Sequence, residues 1–512
     1  MTSPASFDDD RVRAIVEALE AIAENRRLLA DVPEELRHRL LMSAGRVSRP
    51  ERHEQRKLAK EFRKREKNAV RSADEQLLAR TGIRKGQKAP VFRTPDALPQ
   101  NVAATTPEPE GDLHTARKCY ICKRPYTEVH HFYASMCTRC GDFNWEKRTQ
   151  TADLTGHVAL VTGARVKIGY QAAIMLLRAG AHVIVTTRFP RDAAARYAKE
   201  NDYASFQDRL EVYGVDLRHT PSVEAFTKHI DRTHTRLDYI LNNACQTVRR
   251  PTGFYGHLLE KERMPFDALP DRERRLLLGH ESIRTGAPTP VLSDDRTKNA
   301  RAHLEKARAL AIEDSTALSQ IALLEEDLER GAHLFPAGAL DQDLQQIDLR
   351  DRNSWRLRLS EVAAAELLEV HLVNAVAPFV LNARLRPLME RTANAGKHIV
   401  NVSAMEGQFY RAYKTDKHPH TNMAKAALNM MTRTSAVDYK NADIHMNSVD
   451  TGWVTDEDPA VLAERKTLEH GFHPPLDIVD GAARICDPIF AGKLSGEHVW
   501  GQFLKDYKPT EW

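Results

Sequence analysis

At 512 residues and 57.9 kDa the chain is too long for one small module, and several domains are expected. Hydrophobic residues at 42% and charged residues at 29%, with 24 Gly and 25 Pro, exclude collagen-like and wholly disordered chains and permit a sizeable core. Lys plus Arg at 75 against Asp plus Glu at 71 leaves a net charge of +4, so the whole chain is no polyelectrolyte, although a local basic segment can still meet one. No uninterrupted apolar run of about 18 residues and no basic-then-apolar leader occurs, which predicts a cytoplasmic protein without a membrane partner. Six cysteines are too few for a disulfide scaffold, and four of them lie close together.

In chain order, residues 1–110 read as a helical region. VRAIVEALEAIAENRRLLADV carries helical periodicity, and RPERHEQRKLAKEFRKREKNAV predicts a basic helix near 49–71 whose thin stripe of Leu58, Phe62 and Ala69 suits a solvated or partner-facing element. The Pro-, Thr- and Ala-rich stretch from Gln87 to Asp112 reads as a linker. Residues 111–150 form the next unit. Cys119-x2-Cys122 and Cys137-x2-Cys140, with fourteen residues between the pairs, have the spacing that closes four thiolates around Zn2+. Replacement of one thiolate by His130 or His131, and a redox disulfide, are the alternatives. Four protein ligands leave no open position, so the zinc is expected to be structural.

From 151 onward the texture changes. HVALVTGA, HVIVTTR, RLEVYGVDL, LDYILNNA, KHIVNVSA, IHMNSVDTG and HVWGQFLKDY are short Val- and Ile-rich runs, several followed by helical patterns, which predicts βαβ units, a parallel sheet and helices on both faces. The fold class expected is α/β, a doubly wound sheet of the Rossmann type. Asn242 and Asn374 are 132 positions apart, whereas one crossover needs roughly 30. Residues 246–360 are therefore read as a mainly helical insertion with a charged core in KNARAHLEKARALAIEDSTALSQIALLEEDLERG, between a first sheet part at 151–245 and a second at 361–512.

HVALVTGARVKIGYQAAIMLLRAGA reads as strand, glycine turn and helix. The amides at that helix start would face a pyrophosphate, and Gly163 and Gly169 allow close approach. The next strand ends in Thr186, Thr187 and Arg188, where an NAD site would carry an acid. A cation there suits the 2′-phosphate of NADP(H), and Arg165 could add a second.

On these residues the chain resembles the short-chain dehydrogenase/reductase family over roughly 154–250 and 360–508. The glycine turn of that family is similar to TGARVKIG from Thr162 to Gly169, with Lys167 in the middle-glycine place and Arg165 and Ile168 beside it. The resemblance implies that Asp216 and Leu217 lie near the adenine, and that Asn243 and Ala244, in Asn242-Asn243-Ala244-Cys245, and Gly452, after Thr451, belong to the cofactor site. It also makes Asn374, in HLVNAVAPF, an active-site residue and Lys425 the lysine that grips the nicotinamide ribose.

The family relies on a serine after the fifth strand and on a YxxxK pair. Here the lysine matches, but Thr421 stands four residues before it, and Ala404 takes the serine position with Ser403 one residue earlier. A phenol titrates near pH 10 and can be drawn toward neutrality, whereas an aliphatic hydroxyl is a far weaker acid. Three readings of the proton donor stay open: Tyr410 or Tyr413 folding back from QFYRAYKTDKHPH, His418 or His420, or water held by Lys425. The reading favoured is an NADP(H)-dependent oxidoreductase acting on a small carbonyl or alcohol. A catalytically impaired NADP(H) sensor or scaffold is the alternative, and phosphate binding by the knuckle and the basic helix of a nucleic-acid partner is the third reading, disfavoured by Glu51, Glu54, Glu61 and Glu66 in that helix. Homo-oligomers through the helices bearing Asn374 and Lys425 are compatible with the resemblance.

Overall fold

The computed structural model describes residues 8–96, 107–284, 315–329, 331–393, 396–410, 414–455 and 457–512. They divide into two compact units, Met1–Glu75 and Gln76–Trp512. In the first, α1 (Asp9–Glu24) begins at Asp8, whose carboxylate accepts the Arg11 amide. A second helix, α2 (Glu34–Ser48), was not expected from the sequence, and the basic helix α3 runs over Arg52–Leu78, past its predicted end. None of the residues of α1 and α2 is buried.

In the second unit an eight-stranded sheet carries the fold. Its strands are β3 (Val158–Thr162), β4 (His182–Thr187), β5 (Leu210–Gly214), β6 (Tyr239–Asn242), β7 (Lys397–Ser403), β8 (Ile444–Asp450), β9 (Phe503–Lys505) and β10 (Lys508–Thr510), in the order β10-β9-β8-β7-β6-β3-β4-β5. All pairs are parallel except β9 with β10. Every residue of β6, β7 and β8 is buried, because helices cover both faces and alternation has nothing to face. One layer holds α5 (Lys167–Arg178) and α12 (Ile478–Ser495), the other α7 (Thr220–Thr233), α10 (Ala377–Glu390) and α11 (Pro419–Lys440). The order reverses between β3 and β6, and a crevice opens there at the carboxyl ends.

The helical stretch Ala364–Glu390 has the length and a mean hydropathy of 1.5 that would suit a membrane span. In the structure it is a layer helix, with Leu381, Leu385, Leu388 and Met389 packed on the sheet. A π turn at Leu372–Val376 interrupts it between α9 (Ala364–His371) and α10.

Two expected boundaries are not breaks in packing. The cysteine segment forms a hairpin, β1 (Gly111–Lys118) with β2 (Pro125–Val129), then α4 (Thr138–Thr149). It is too short to own a core, and it buries Val129, Tyr133 and Met136 with Leu476, Ile478 and Val479. Arg148 pairs with Asp477 at 2.6 Å and Asp480 at 2.9 Å, and the Tyr133 hydroxyl donates to Asp480 at 2.5 Å. Part of the expected linker is likewise pinned, since the Phe92 amide donates to the Gln342 carbonyl at 2.8 Å and Thr94 donates to Glu200 at 2.8 Å.

The insertion also differs from expectation. Much of its charged helical segment lies outside the described residues; what is described is one four-turn helix, α8 (Asp271–Arg284), with short turns and loops folded over the ends of β4 and β5. Phe254, Tyr255, Leu258 and Phe335 of the insertion pack on Phe189.

Candidate functional site

At the β3–α5 turn Gly163 has φ +66°, and a Cβ there would stand 2.8 Å from the Ala244 backbone. A Cβ on Gly169 would meet the Asn243 amide nitrogen at 2.2 Å. These two positions require glycine because the turn after β6 presses on them. Thr162 and Asn243 tie the two turns together: the Asn243 amide donates to the Thr162 carbonyl at 3.0 Å, and the Ala244 N–H donates to the Thr162 hydroxyl at 3.0 Å. Helix α5 follows Val166, which has no side chain able to cap it, so the first amides at Lys167, Ile168 and Gly169 open toward the crevice. Lys167 takes a left-handed φ of +57° at the place where the family has glycine.

The crevice encloses about 350 Å³, and Gly163, Arg165, Lys167, Ile168, Gly169, Arg188, Asp216, Leu217, Asn243 and Ala244 all lie in its wall. Their charges are mostly matched already. Arg165, expected at a 2′-phosphate, is buried and donates to Asp192 at 2.8 Å and to Gln345 at 2.9 Å. Burial lowers its pKa against the opposing pull of Asp192. The guanidinium is thus paired with Asp192 of α6 (Pro190–Tyr197) at the crevice wall. Asp216 is held by Arg218 at 2.7 Å, Arg218 by Glu369 at 2.7 Å, Glu369 by Arg249 at 2.8 Å, and Arg249 by Asp327 at 2.5 Å. Burial would raise the Asp216 carboxyl, but Arg218 outweighs it and keeps it low. Arg218, Arg249 and Glu369 were not singled out from the sequence, because their partners come from distant positions.

Arg188 differs. It donates to the Tyr255 hydroxyl at 2.6 Å and lies over the Tyr255 ring at 4.7 Å, and no ion pair forms on it among the described residues. The stacking holds the guanidinium at the β4 end without neutralising it.

The expected catalytic residues collect at the ends of β7 and β8. Asn374 sits in the π turn, where its amide spans the Gln246 backbone: Oδ1 accepts the N–H at 2.8 Å and Nδ2 donates to the carbonyl at 3.2 Å. Gln246 is in the crevice wall, so Asn374 joins the two regions. Thr421 and Lys425 lie one turn apart on the same face of α11. The Lys425 ammonium, expected at the nicotinamide ribose, donates to the Val402 carbonyl at 2.7 Å, which leaves two of its three donors. The hydroxyls of Ser403 and Thr421, both 2% exposed, have no hydrogen-bond partner among the described residues. Ser403 pairs in register with Asp450, whose carboxyl burial pushes up to about 6. Gly452, two residues on, has φ +76°, and a Cβ there would stand 3.4 Å from the Tyr120 hydroxyl. That hydroxyl also accepts the Trp453 amide at 3.0 Å.

Of the alternative proton donors, Tyr410 is 54% exposed, and Tyr413 lies outside the described residues. His418 stacks on Trp355 at 3.8 Å with Nδ1 on the Trp355 carbonyl at 3.0 Å, and burial lowers its pKa. His420 is 1% exposed, has an unpartnered Nδ1, and places Nε2 3.5 Å from Glu366. Burial would raise the Glu366 carboxyl, yet His420, Ser354 and Arg249 hold it below its ordinary value. Glu366 carried no signal in the sequence, since it is 54 positions from its histidine.

The four cysteine sulfurs lie within 4.8 Å of one another, and Cys122 and Cys137 are 3.9 Å apart. Sulfurs at about 2.3 Å from a tetrahedral zinc stand about 3.8 Å apart, so the set fits that metal.

A family model described as short chain dehydrogenase matches residues 157–258, and one described as enoyl-(acyl carrier protein) reductase matches residues 350–473. An uncharacterized protein of Acanthamoeba polyphaga mimivirus is 31% identical over 402 residues, which cover 76% of this chain and 74% of that protein. Retinol dehydrogenase 11 of Mus musculus is 32% identical over 114 residues, 22% of this chain and 36% of its own length. The solved structure of NADPH-bound carbonyl reductase from chicken fatty liver aligns with a TM-score of 0.41 at 16% identity, over 70% of this chain and 100% of that one.

Proposed function

We propose, for a chain that belongs to the short-chain dehydrogenase/reductase family, an NADP(H)-dependent oxidoreductase activity on a small carbonyl or alcohol. The observation that carries the chemistry is the pair of buried, unpartnered hydroxyls, Ser403 and Thr421, beside Lys425. Buried polar atoms are normally satisfied, and one such donor at the end of β7 with another at the start of α11 suits a substrate oxygen. Bound NADP(H) supplies or takes up the hydride. The α5 amides and Lys167 hold its pyrophosphate, Arg188 its 2′-phosphate, and Lys425 the ribose with its remaining donors. His420 releases the proton that the substrate oxygen gains on reduction, and the Glu366 carboxylate lies where it balances an imidazolium. Thr421 donates a hydrogen bond to that oxygen and is not itself the acid.

The four cysteines hold one structural zinc in this reading. It braces the segment whose Tyr120 supports the loop after β8. Metal analysis of the purified chain should find the zinc, and Cys137→Ser should lose it together with stability. Exposed Val376, Phe379, Met423, Met430 and Val437 on α10, α11 and the π turn favour self-association through these helices.

NADPH oxidation with a panel of carbonyl compounds tests the activity; turnover with any member supports it. One observation favours a second reading, a cofactor-binding sensor: the ammonium of Lys425 is turned to the Val402 carbonyl, and no phenol lies beside it among the described residues. NADPH binding without turnover across the panel would select that reading.

A further inference from the structure

At the amino ends of the central strands, opposite the crevice, three histidines meet. His398 and His445 are register partners at the starts of β7 and β8, and His498 reaches them from the loop after α12. One ring nitrogen of each lies within 4.8 Å of the others. Nε2 of His398 and Nδ1 of His498 face each other at 2.9 Å. His445 directs Nδ1 to the Lys397 carbonyl at 3.1 Å, which fixes its ring and turns Nε2 inward. The His398 ring is fully buried, and its Nδ1 has no partner. Room for His498 is made by two glycines: a Cβ on Gly492 would stand 2.4 Å from its Nδ1, and one on Gly396 2.5 Å from its Cε1.

We propose that His398, His445 and His498 bind one late first-row divalent cation, zinc in the first instance, at a site separate from the dinucleotide crevice. Three imidazoles with no carboxylate among them favour zinc, cobalt, nickel or copper over magnesium and calcium. Three protein ligands leave a fourth position, and His498, the only one of the three that is not fully buried, marks the side from which water reaches it. Of the neighbouring cations, Lys440 pairs with Asp443 at 3.4 Å, and the Lys493 ammonium lies 3.3 Å from the His157 ring nitrogen. A second cluster, His182 and His234 on Glu211 at 2.7 and 3.1 Å, differs in that a carboxylate accepts from both rings, whereas His398 and His498 share a hydrogen bond only with each other. The metal would fasten the 496–502 loop, which leads into β9, to the two strands.

Cobalt(II) titration of the full-length chain is the test, followed by its d–d absorption and by the thermal midpoint. The wild type and Cys137→Ser should both show one equivalent with nitrogen-ligated bands and no sulfur charge transfer, in addition to whatever the cysteines bind in the wild type. His498→Ala should lose that equivalent and the accompanying rise in midpoint, whereas His182→Ala should keep both. His445→Gln serves in place of His498→Ala if the latter does not fold. Unchanged cobalt binding in His498→Ala or His445→Gln, or its absence in Cys137→Ser, would overturn the proposal.

Discussion

Around the glycine turn nearly every charged side chain already has an opposite number: Arg165 with Asp192, Arg218 with Asp216 and Glu369, Arg249 with Asp327. At the ends of β7 and α11 the reverse holds, and Ser403, Thr421 and the Nδ1 of His420 are buried without partners. A matched network costs nothing further to keep empty and positions the walls rigidly, whereas an unpartnered buried group costs about 1–3 kcal/mol until something supplies the missing bond. The crevice thus reads as a preformed frame in which Arg188 and Lys167 have no carboxylate partner among the described residues, and the proposed catalytic pocket as a set of donors and acceptors suited to a substrate oxygen.

The sharpest way to break this comparison is to remove the group assigned as the acid. His420→Gln should lower turnover about 10²- to 10⁴-fold while leaving NADPH affinity unchanged. Loss of both together, measured by steady-state kinetics and fluorescence titration, would place His420 in the frame instead. Glu366→Gln should show the same split to a smaller degree, since that residue positions the histidine without touching substrate.

Next in size is Arg188, which has no carboxylate partner among the described residues. A charge-assisted hydrogen bond contributes about 1.5–3 kcal/mol, so Arg188→Asp should weaken NADPH binding roughly 10- to 150-fold and turn the preference toward NADH. If the phosphate were instead read by Arg165, the Arg188 substitution would leave the preference intact, at odds with the pairing of Arg165 to Asp192.

How much of this was legible in the sequence follows from distance along the chain. The glycine turn and the strands β3 to β8 show themselves through local periodicity and spacing, because each is determined within a few turns of chain, whereas Asn374 and Lys425 were singled out by the family resemblance. The π turn that presents Asn374 leaves no trace in HLVNAVAPF. What stayed hidden depends on contacts between remote segments. The Arg218–Glu369 pair spans 151 positions and Arg249–Asp327 spans 78, so the sequence showed Arg165 and Arg188 as equivalent cations when only one is free of a carboxylate. The docking of the cysteine segment on α12 was hidden for the same reason: Tyr133 and Asp480 are 347 positions apart.

A third substitution separates stability from chemistry within the pocket. Thr421→Val keeps the shape of the side chain and removes a hydroxyl that has no partner in the free protein. The unfolding midpoint of the free protein should therefore rise, while turnover falls only about 2- to 12-fold through a lost hydrogen bond of roughly 0.5–1.5 kcal/mol. A rate lower by several orders of magnitude would make threonine itself the proton donor and displace His420 from that role.

The smallest effect expected lies in the frame, at Lys167. A left-handed backbone costs a non-glycine residue about 1–2 kcal/mol, and Lys167 holds φ +57° at the first residue of α5. Glycine would remove that strain but would lose roughly 0.5–1 kcal/mol more chain entropy on folding. Lys167→Gly should therefore stabilise the free protein by about 0.5–1 kcal/mol in denaturant titration. Against this gain stands the ammonium, which lies in the crevice wall and offers the pyrophosphate a second contact beside the α5 amides. At the partly exposed rim such a charge contributes about 0.2–1 kcal/mol, so NADPH affinity should fall roughly 1.5- to 5-fold, and more steeply at low salt. A more stable protein with weaker, less salt-sensitive cofactor binding is the combined signature that the strained lysine is kept for its charge. If affinity rose instead, the closer approach that glycine permits would outweigh the ammonium, and Lys167 would have no part in holding the phosphates.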